Sequence, residues 1–147
     1  MERHFTNSVY VYNPKTKEFL FIKHKKLKKW LQPGGHWEAN ELPDDSAIRE
    51  VFEETGLHVT LVGDRLPSED NGQIRPYGIQ RNIITEGEHE HLDLIYLAIP
   101  EDGKIVQNSD ETDGIGWFSV DEITSPSFNT FEAQKKWVKY FHGLMNR

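Results

Sequence analysis

Residues 35–57 read GHWEANELPDDSAIREVFEETGL, and this stretch decides how the rest of the chain is understood. Between Asp45 and Thr55 the apolar residues Ala47, Ile48, Val51 and Phe52 recur at helical spacing, which predicts a helix with one buried arc. Glu50, Glu53 and Glu54 stand at i, i+3 and i+4 on a second arc, roughly 140° from the first at about 100° per residue. Carboxylates at that spacing repel, and more so where water is partly excluded. Arg49, one turn before Glu53, can neutralise one of them, but a single guanidinium cannot neutralise three. A hard divalent cation can. Oxygen-rich carboxylate clusters select Mg²⁺ or Mn²⁺, and Mg²⁺ usually keeps some water and binds substrate phosphates as well.

The flanks of this helix have their own logic. Pro43, Asp44, Asp45 and Ser46 offer a helix-compatible start, capping side chains and negative charge at the positive end of the dipole. At the far end Gly56 is placed for a left-handed turn, with Leu57 expected to fold back on Phe52. Before the helix, Pro33-Gly34-Gly35 leaves backbone bare, so that amides and carbonyls can approach a metal or a phosphate closely.

Taken together, Gly35, Glu41, Arg49, Glu50, Glu53, Glu54 and Gly56, with aliphatic Val51 and Leu57, match the Nudix box at every fixed and every aliphatic position. The chain resembles the Nudix hydrolases over these 23 residues, and more loosely in the flanking strands and in the segment 117–122 before the last helix. The resemblance implies an α+β fold, an α/β/α sandwich with a mixed β-sheet and a C-terminal helix. At 147 residues the chain has the length of one compact domain, expected over residues 1–147. The resemblance also implies Glu50, Glu53 and Glu54 as metal ligands, with the Gly34 carbonyl as a further one and Mg²⁺ or Mn²⁺ as cofactor. Arg49 would orient Glu53, and Glu41 would support the loop or bind a further metal. The implied reaction is hydrolysis of a phosphoanhydride bond by water that the cation activates. The substrate would be a nucleoside di- or triphosphate, or a nucleoside diphosphate linked to another group. The catalytic set is then Glu53, Arg49 and Glu50, with Gly34, Gly35 and Trp37 beside the substrate. The general base is either Glu53 or an acid on a later loop, for which the chain offers Glu86, Glu88, Glu90 and Glu111.

Working outward, β-favouring runs appear at 9–12, 19–23, 58–62, 77–84, 92–99, 104–106 and 115–118, and the front half reads as a meander. Residues 13–17 and 101–103 read as tight turns. A second helix is expected over Thr130–Met145, with Glu132, Lys135, Lys136, Lys139 and His142 outward and an aromatic stripe that includes Tyr140 packed on the sheet.

Composition removes several alternatives. There is no cysteine, which excludes disulfides, thiolate ligands and a cysteine nucleophile, and disfavours the isopentenyl isomerase branch of this fold. The longest apolar run, Leu94–Ile99, is far short of the roughly 20 residues a membrane span needs, and no secretory leader is evident, so a cytoplasmic location is expected. Of the net charge of −7, residues 35–57 carry −6. Five lysines between Lys23 and Lys29 precede that acidic block. They raise the alternative of a 5′-end RNA pyrophosphohydrolase, although the acidic whole favours a small nucleotide substrate over RNA. A non-catalytic nucleotide-sensing module is the other alternative, disfavoured because no box glutamate is missing. His89, His91 and Asp93 fall on one face of a strand, and their expected role is as hydrogen-bonded surface groups rather than ligands. Trp30 is expected to roof the core, whereas Trp37 is a candidate for stacking on a base.

Overall fold

The first strand organises the molecule because its alternate side chains serve two different cores. On β1 (Glu2–Asn13), Val9 and Val11 point into a cluster with Leu20, Ala47, Val51 and Leu94, while Tyr10 and Tyr12 point into another with Phe21, Val138 and Phe141. A strand buried on both faces belongs in a sheet that helices cover from both sides. The computed structural model, which describes residues 1–70, 72–102, 104–106 and 112–147, has that architecture. After β1 come β2 (Glu18–His24), β3 (Trp30–Leu31), β4 (Gly34–His36), α1 (Pro43–Thr55), β5 (His58–Val62), β6 (Gly78–Thr85), β7 (His89–Asp102), β8 (Thr112–Ser119), α2 (Val120–Thr124) and α3 (Glu132–Met145).

The sheet runs β3-β2-β1-β7-β5, with β4 pairing β1, β6 pairing β7 and β8 pairing β2. The pairing of β1 with β7 is parallel, from Glu2 opposite His89 to Val11 opposite Ala98, and the other named pairs are antiparallel. This is the mixed sheet that the resemblance implies. Helix α1 buries Ala47 and Val51 on one face, while α2 and α3 bury Ile123, Val138 and Phe141 on the other. Ser119 and Glu122 start α2 with reciprocal side-chain caps. No helix among the described residues is long and apolar enough to cross a membrane.

Several local expectations need correction. The front half is not a meander, because the main partner of β1 is a parallel strand more than 80 residues away, a pairing that turn signals cannot announce. Residues 104–106 form no strand; they lie across the end of α1, where Val106 N donates to Thr55 O at 2.8 Å and Ile105 joins the core. Strand β7 continues through Asp102, and the remainder of the expected turn, Gly103, is outside the described residues. At the start of α1 the cap position is Leu42, with no side-chain cap. Asp44 instead turns inward, accepting from Ile74 N at 2.9 Å while its own N–H donates to Gln73. Gly56 is left-handed as expected, at φ 80°, but Leu57 enters the core and exposed Phe52 stacks on His58. Tyr140 is half exposed rather than packed on the sheet.

Candidate active site

The box forms a loop, a short strand and a helix, and one guanidinium ties them together. Arg49 donates from Nε and Nη2 to the two oxygens of Glu41, at 2.6 and 2.9 Å, a bidentate grip between α1 and the loop before it. Its Nη2 also donates to the His36 carbonyl at 3.1 Å, and its Nη1 lies 3.0 Å from both Glu50 Oε1 and Glu53 Oε2 and 3.5 Å from Glu38. Arg49 therefore contacts both Glu41, on the loop, and Glu53, one turn on along α1. Four carboxylates surround one guanidinium and leave three formal negative charges uncompensated.

Burial divides these carboxylates into two kinds. Glu50 is 15% exposed, and burial raises its pKa against the opposing pull of Arg49, whereas Glu53 is 55% exposed. The hydrogen bond from Arg49 lowers Glu41 to about 2, and Glu41 in turn raises the pKa of Arg49. Glu54 accepts from Gly34 N at 2.8 Å, so all three box glutamates are held against the Gly34–Gly35 strand or Arg49.

The glycines are needed for close approach. A Cβ on Gly34 would stand 2.0 Å from the Asn7 carbonyl oxygen, because β4 runs against β1 there. A Cβ on Gly35 would stand 2.6 Å from the Glu50 carboxyl carbon and 2.7 Å from both its oxygens. Next in the chain but one, Trp37 donates its indole N–H to Asn7 Oδ1 at 3.0 Å and stacks on Phe5, with centroids 4.7 Å apart. Trp30 packs instead against Phe118 and Phe128 in the core.

The candidate bases from later loops separate clearly. Glu90 is buried and both its oxygens are taken by Arg81 and Arg3, which together lower its pKa. Glu88 is level with Glu2, its carbonyl accepting from Glu2 N. That is four residues, or about 13 Å of strand, from Thr6, which faces His36. Glu86 lies in the same hairpin, between β6 and β7, and Glu111 is outside the described residues. One cleft of about 560 Å³ is bordered by Trp117 and Pro100 and another of about 360 Å³ by Asp45 and Arg65, and neither of these is lined by Glu50, Glu53 or Glu54.

His89, His91 and Asp93 do share one strand face, on the α3 side of the sheet, but Asp93 is buried rather than at the surface, and the partners they meet from β1 and β4 were not expected. Asp93 accepts from Thr6 Oγ1 and Ser8 Oγ; burial raises its pKa against those two bonds. Beside it, His4 and His36 meet His89 and His91, an encounter that depends on strand register and has no signal in the local sequence. Of the lysine run, Lys28 pairs with Asp113, and Lys29 donates to Asn129 and sits over Phe131.

A family description, the NUDIX domain, matches residues 2–141, nearly the whole chain. The chain belongs to the Nudix hydrolase family. A solved Nudix-family hydrolase from Clostridium perfringens is similar to it at TM-score 0.82 and 29% identity, covering 99% of this chain and 100% of that one. A Lactococcus lactis subsp. cremoris protein named "Probable DHNTP pyrophosphohydrolase" is 37% identical over 83 residues, 56% of this chain and 47% of the relative. A Streptomyces ambofaciens "MutT-like protein" is 30% identical over 95 residues, 65% of this chain and 51% of the relative. Matched segments thus span about half the length of these curated relatives.

Proposed function

We propose that this Nudix hydrolase cleaves a phosphoanhydride bond in a small nucleotide, either a nucleoside di- or triphosphate or a nucleoside diphosphate bearing another group. The observation that carries the reading is Glu41, Glu50 and Glu53 gathered around Arg49, with Glu54 held by Gly34 N, a set whose formal negative charge exceeds that of the one guanidinium. An all-oxygen donor set of that charge fits a hard divalent cation, whose use is general in the family. Glu50, Glu53, Glu54 and the Gly34 carbonyl would hold it. When bound, Mg²⁺ or Mn²⁺ supplies positive charge that offsets the phosphate oxygens and makes water easier to deprotonate.

The side chains have separate tasks. Glu41 grips Arg49 at two oxygens and so fixes the loop to the helix, leaving Nη1 of the same guanidinium to bridge Glu50 and Glu53. Glu53, the more exposed of that pair, takes the proton from the attacking water as it approaches phosphorus. Glu90 does not serve, because Arg3 and Arg81 occupy its oxygens. Trp37, held by Asn7 and stacked on half-exposed Phe5, forms an aromatic platform beside the glycines for the nucleobase.

The test is a panel of nucleotides and nucleotide sugars assayed with Mg²⁺ and with Mn²⁺, with the products identified. Release of a nucleoside monophosphate with pyrophosphate, or with a phosphorylated second product, supports the reading. Salt-sensitive release of pyrophosphate from triphosphorylated RNA, absent with mononucleotides, would replace the substrate class. No cleavage of any member would refute it.

A further inference from the structure

Four of the chain's seven histidines meet at one place on the sheet, although they come from three strands. Parallel register sets His4 directly opposite His91, and Glu2 opposite His89. On the other side of β1, β4 places His36 opposite Thr6. Alternation then puts His4, His89 and His91 on the same face as Thr6 and His36. The ring centroids of His36 and His91 are 4.7 Å apart, those of His4 and His36 5.5 Å, and those of His4 and His91 6.0 Å.

The nitrogen positions matter more than the ring centres. One nitrogen from each of His4, His36 and His91 lies within 4.8 Å of the other two, and His36 Nε2 is 3.2 Å from His91 Nε2. Nitrogen ligands at about 2.0–2.1 Å from a tetrahedral ion stand about 3.3 Å from each other. One pair already has that spacing. The third ring, His4, has a side chain 41% exposed, and its Nδ1 lies 3.3 Å from His89 Nε2. Glu2 Oε1, 3.0 Å from His4 Nε2, supplies the carboxylate partner that orients imidazole ligands.

We infer that His4, His36 and His91 form a second metal site, separate from the box glutamates, which takes a borderline transition-metal ion of the Zn²⁺, Co²⁺ or Ni²⁺ class. The separation is chemical as well as spatial: an all-imidazole set favours such ions, whereas the carboxylates of α1 suit Mg²⁺ and Mn²⁺. Three protein nitrogens leave a fourth position open to water or another oxygen. The site is also mechanically connected to the box, since the His36 carbonyl accepts from Arg49 and the preceding residue, Gly35, lies against Glu50. An ion bound here holds β4 to β1 and β7 and so pins the front of the box loop. The inference does not depend on what the box cleaves.

The experiment is equilibrium dialysis of tag-free full-length protein against Co²⁺ or Zn²⁺ in a large excess of Mg²⁺, followed by elemental analysis and, for Co²⁺, visible absorption. The variants are His4→Ala, His36→Ala, His91→Ala, His89→Ala, Glu54→Gln and, as a distant control, His58→Ala, with circular dichroism and Tm recorded for each. Expected is one ion per chain in the wild type with a low-coordinate Co²⁺ spectrum. His4→Ala, His36→Ala and His91→Ala should each weaken binding at least about 100-fold, more than the loss of an outer partner does. His58→Ala and Glu54→Gln should retain the ion. No retention in excess Mg²⁺, or retention that folded His91→Ala leaves unchanged, overturns the inference. Loss in Glu54→Gln without loss in His91→Ala would assign the ion to the box. Loss in His89→Ala without loss in His36→Ala would assign it to Glu2, His4 and His89, and overturns the trio as stated.

Discussion

Replacing Gly35 by alanine isolates the geometry of the site from the stability of the fold. The added methyl would begin 2.6 Å from the Glu50 carboxyl carbon, against an ordinary contact near 3.4 Å, so the carboxylate must retreat by about 0.8 Å. Gly35 does not have a positive φ, so alanine suits its backbone, and the clash is with the end of a side chain that can move. Overpacking costs of about 1–3 kcal/mol are thus reduced, and the loss of backbone freedom in the unfolded chain returns about 0.4–1 kcal/mol. We expect Tm to shift by less than about 4 °C. Activity should suffer far more, because Glu50 shares Arg49 with Glu53 and would move the charge pattern with it. A displacement approaching 1 Å costs about 10²-fold in rate. Colorimetric phosphate release, with a coupling phosphatase and the best substrate of the nucleotide panel, measures kcat and KM beside a thermal melt. An alanine variant with wild-type kcat would show that the Glu50 position does not matter to the reaction.

The neighbouring Gly34→Ala should behave oppositely, losing at least about 3 kcal/mol in urea unfolding, because its methyl meets the Asn7 backbone carbonyl at 2.0 Å and no side chain can yield. Gly56→Ala should lose about 1–3 kcal/mol in the same assay, since residue 56 has φ 80° and a methyl there would stand 2.9 Å from the Lys104 carbonyl oxygen. Glu41 provides a pH signature. Its folded pKa lies below the unfolded one, so its ion pair with Arg49 contributes fully above the ordinary glutamate value of 4.5 and is lost as pH falls from there to about 2. Unfolding free energy followed over that window should fall less steeply in Glu41→Gln than in wild type, and equal slopes would contradict the assignment.

How far the sequence reveals this molecule depends on the range of the interaction that makes each part. Helix α1 and its ridge of glutamates were legible because residues three and four apart share a helical face whatever surrounds them. Hairpin residues 13–17 were legible for the same local reason. The parallel pairing of β1 with β7 was not, since His4 and His91 become neighbours only through a register that no short window contains. The histidine cluster and the Asp93 bonds to Thr6 and Ser8 were hidden with it. Residues 104–106 misled for a related reason: Ile105 is apolar because it packs on the core as irregular chain, not because it alternates within a strand. Asp44 looked like a cap from its position alone, but Gln73 and Ile74, almost 30 residues on, engage it instead.

The most direct test of the central claim is turnover of a nucleoside diphosphate derivative by wild type and Glu54→Gln, each at saturating Mn²⁺ and each verified as folded. Glu54 accepts from Gly34 N and belongs to the proposed donor set, so the amide should lower kcat by at least about 10²-fold while Tm stays near that of the wild type. Equal turnover by the two proteins would mean that the acidic ridge of α1 is only a charged surface.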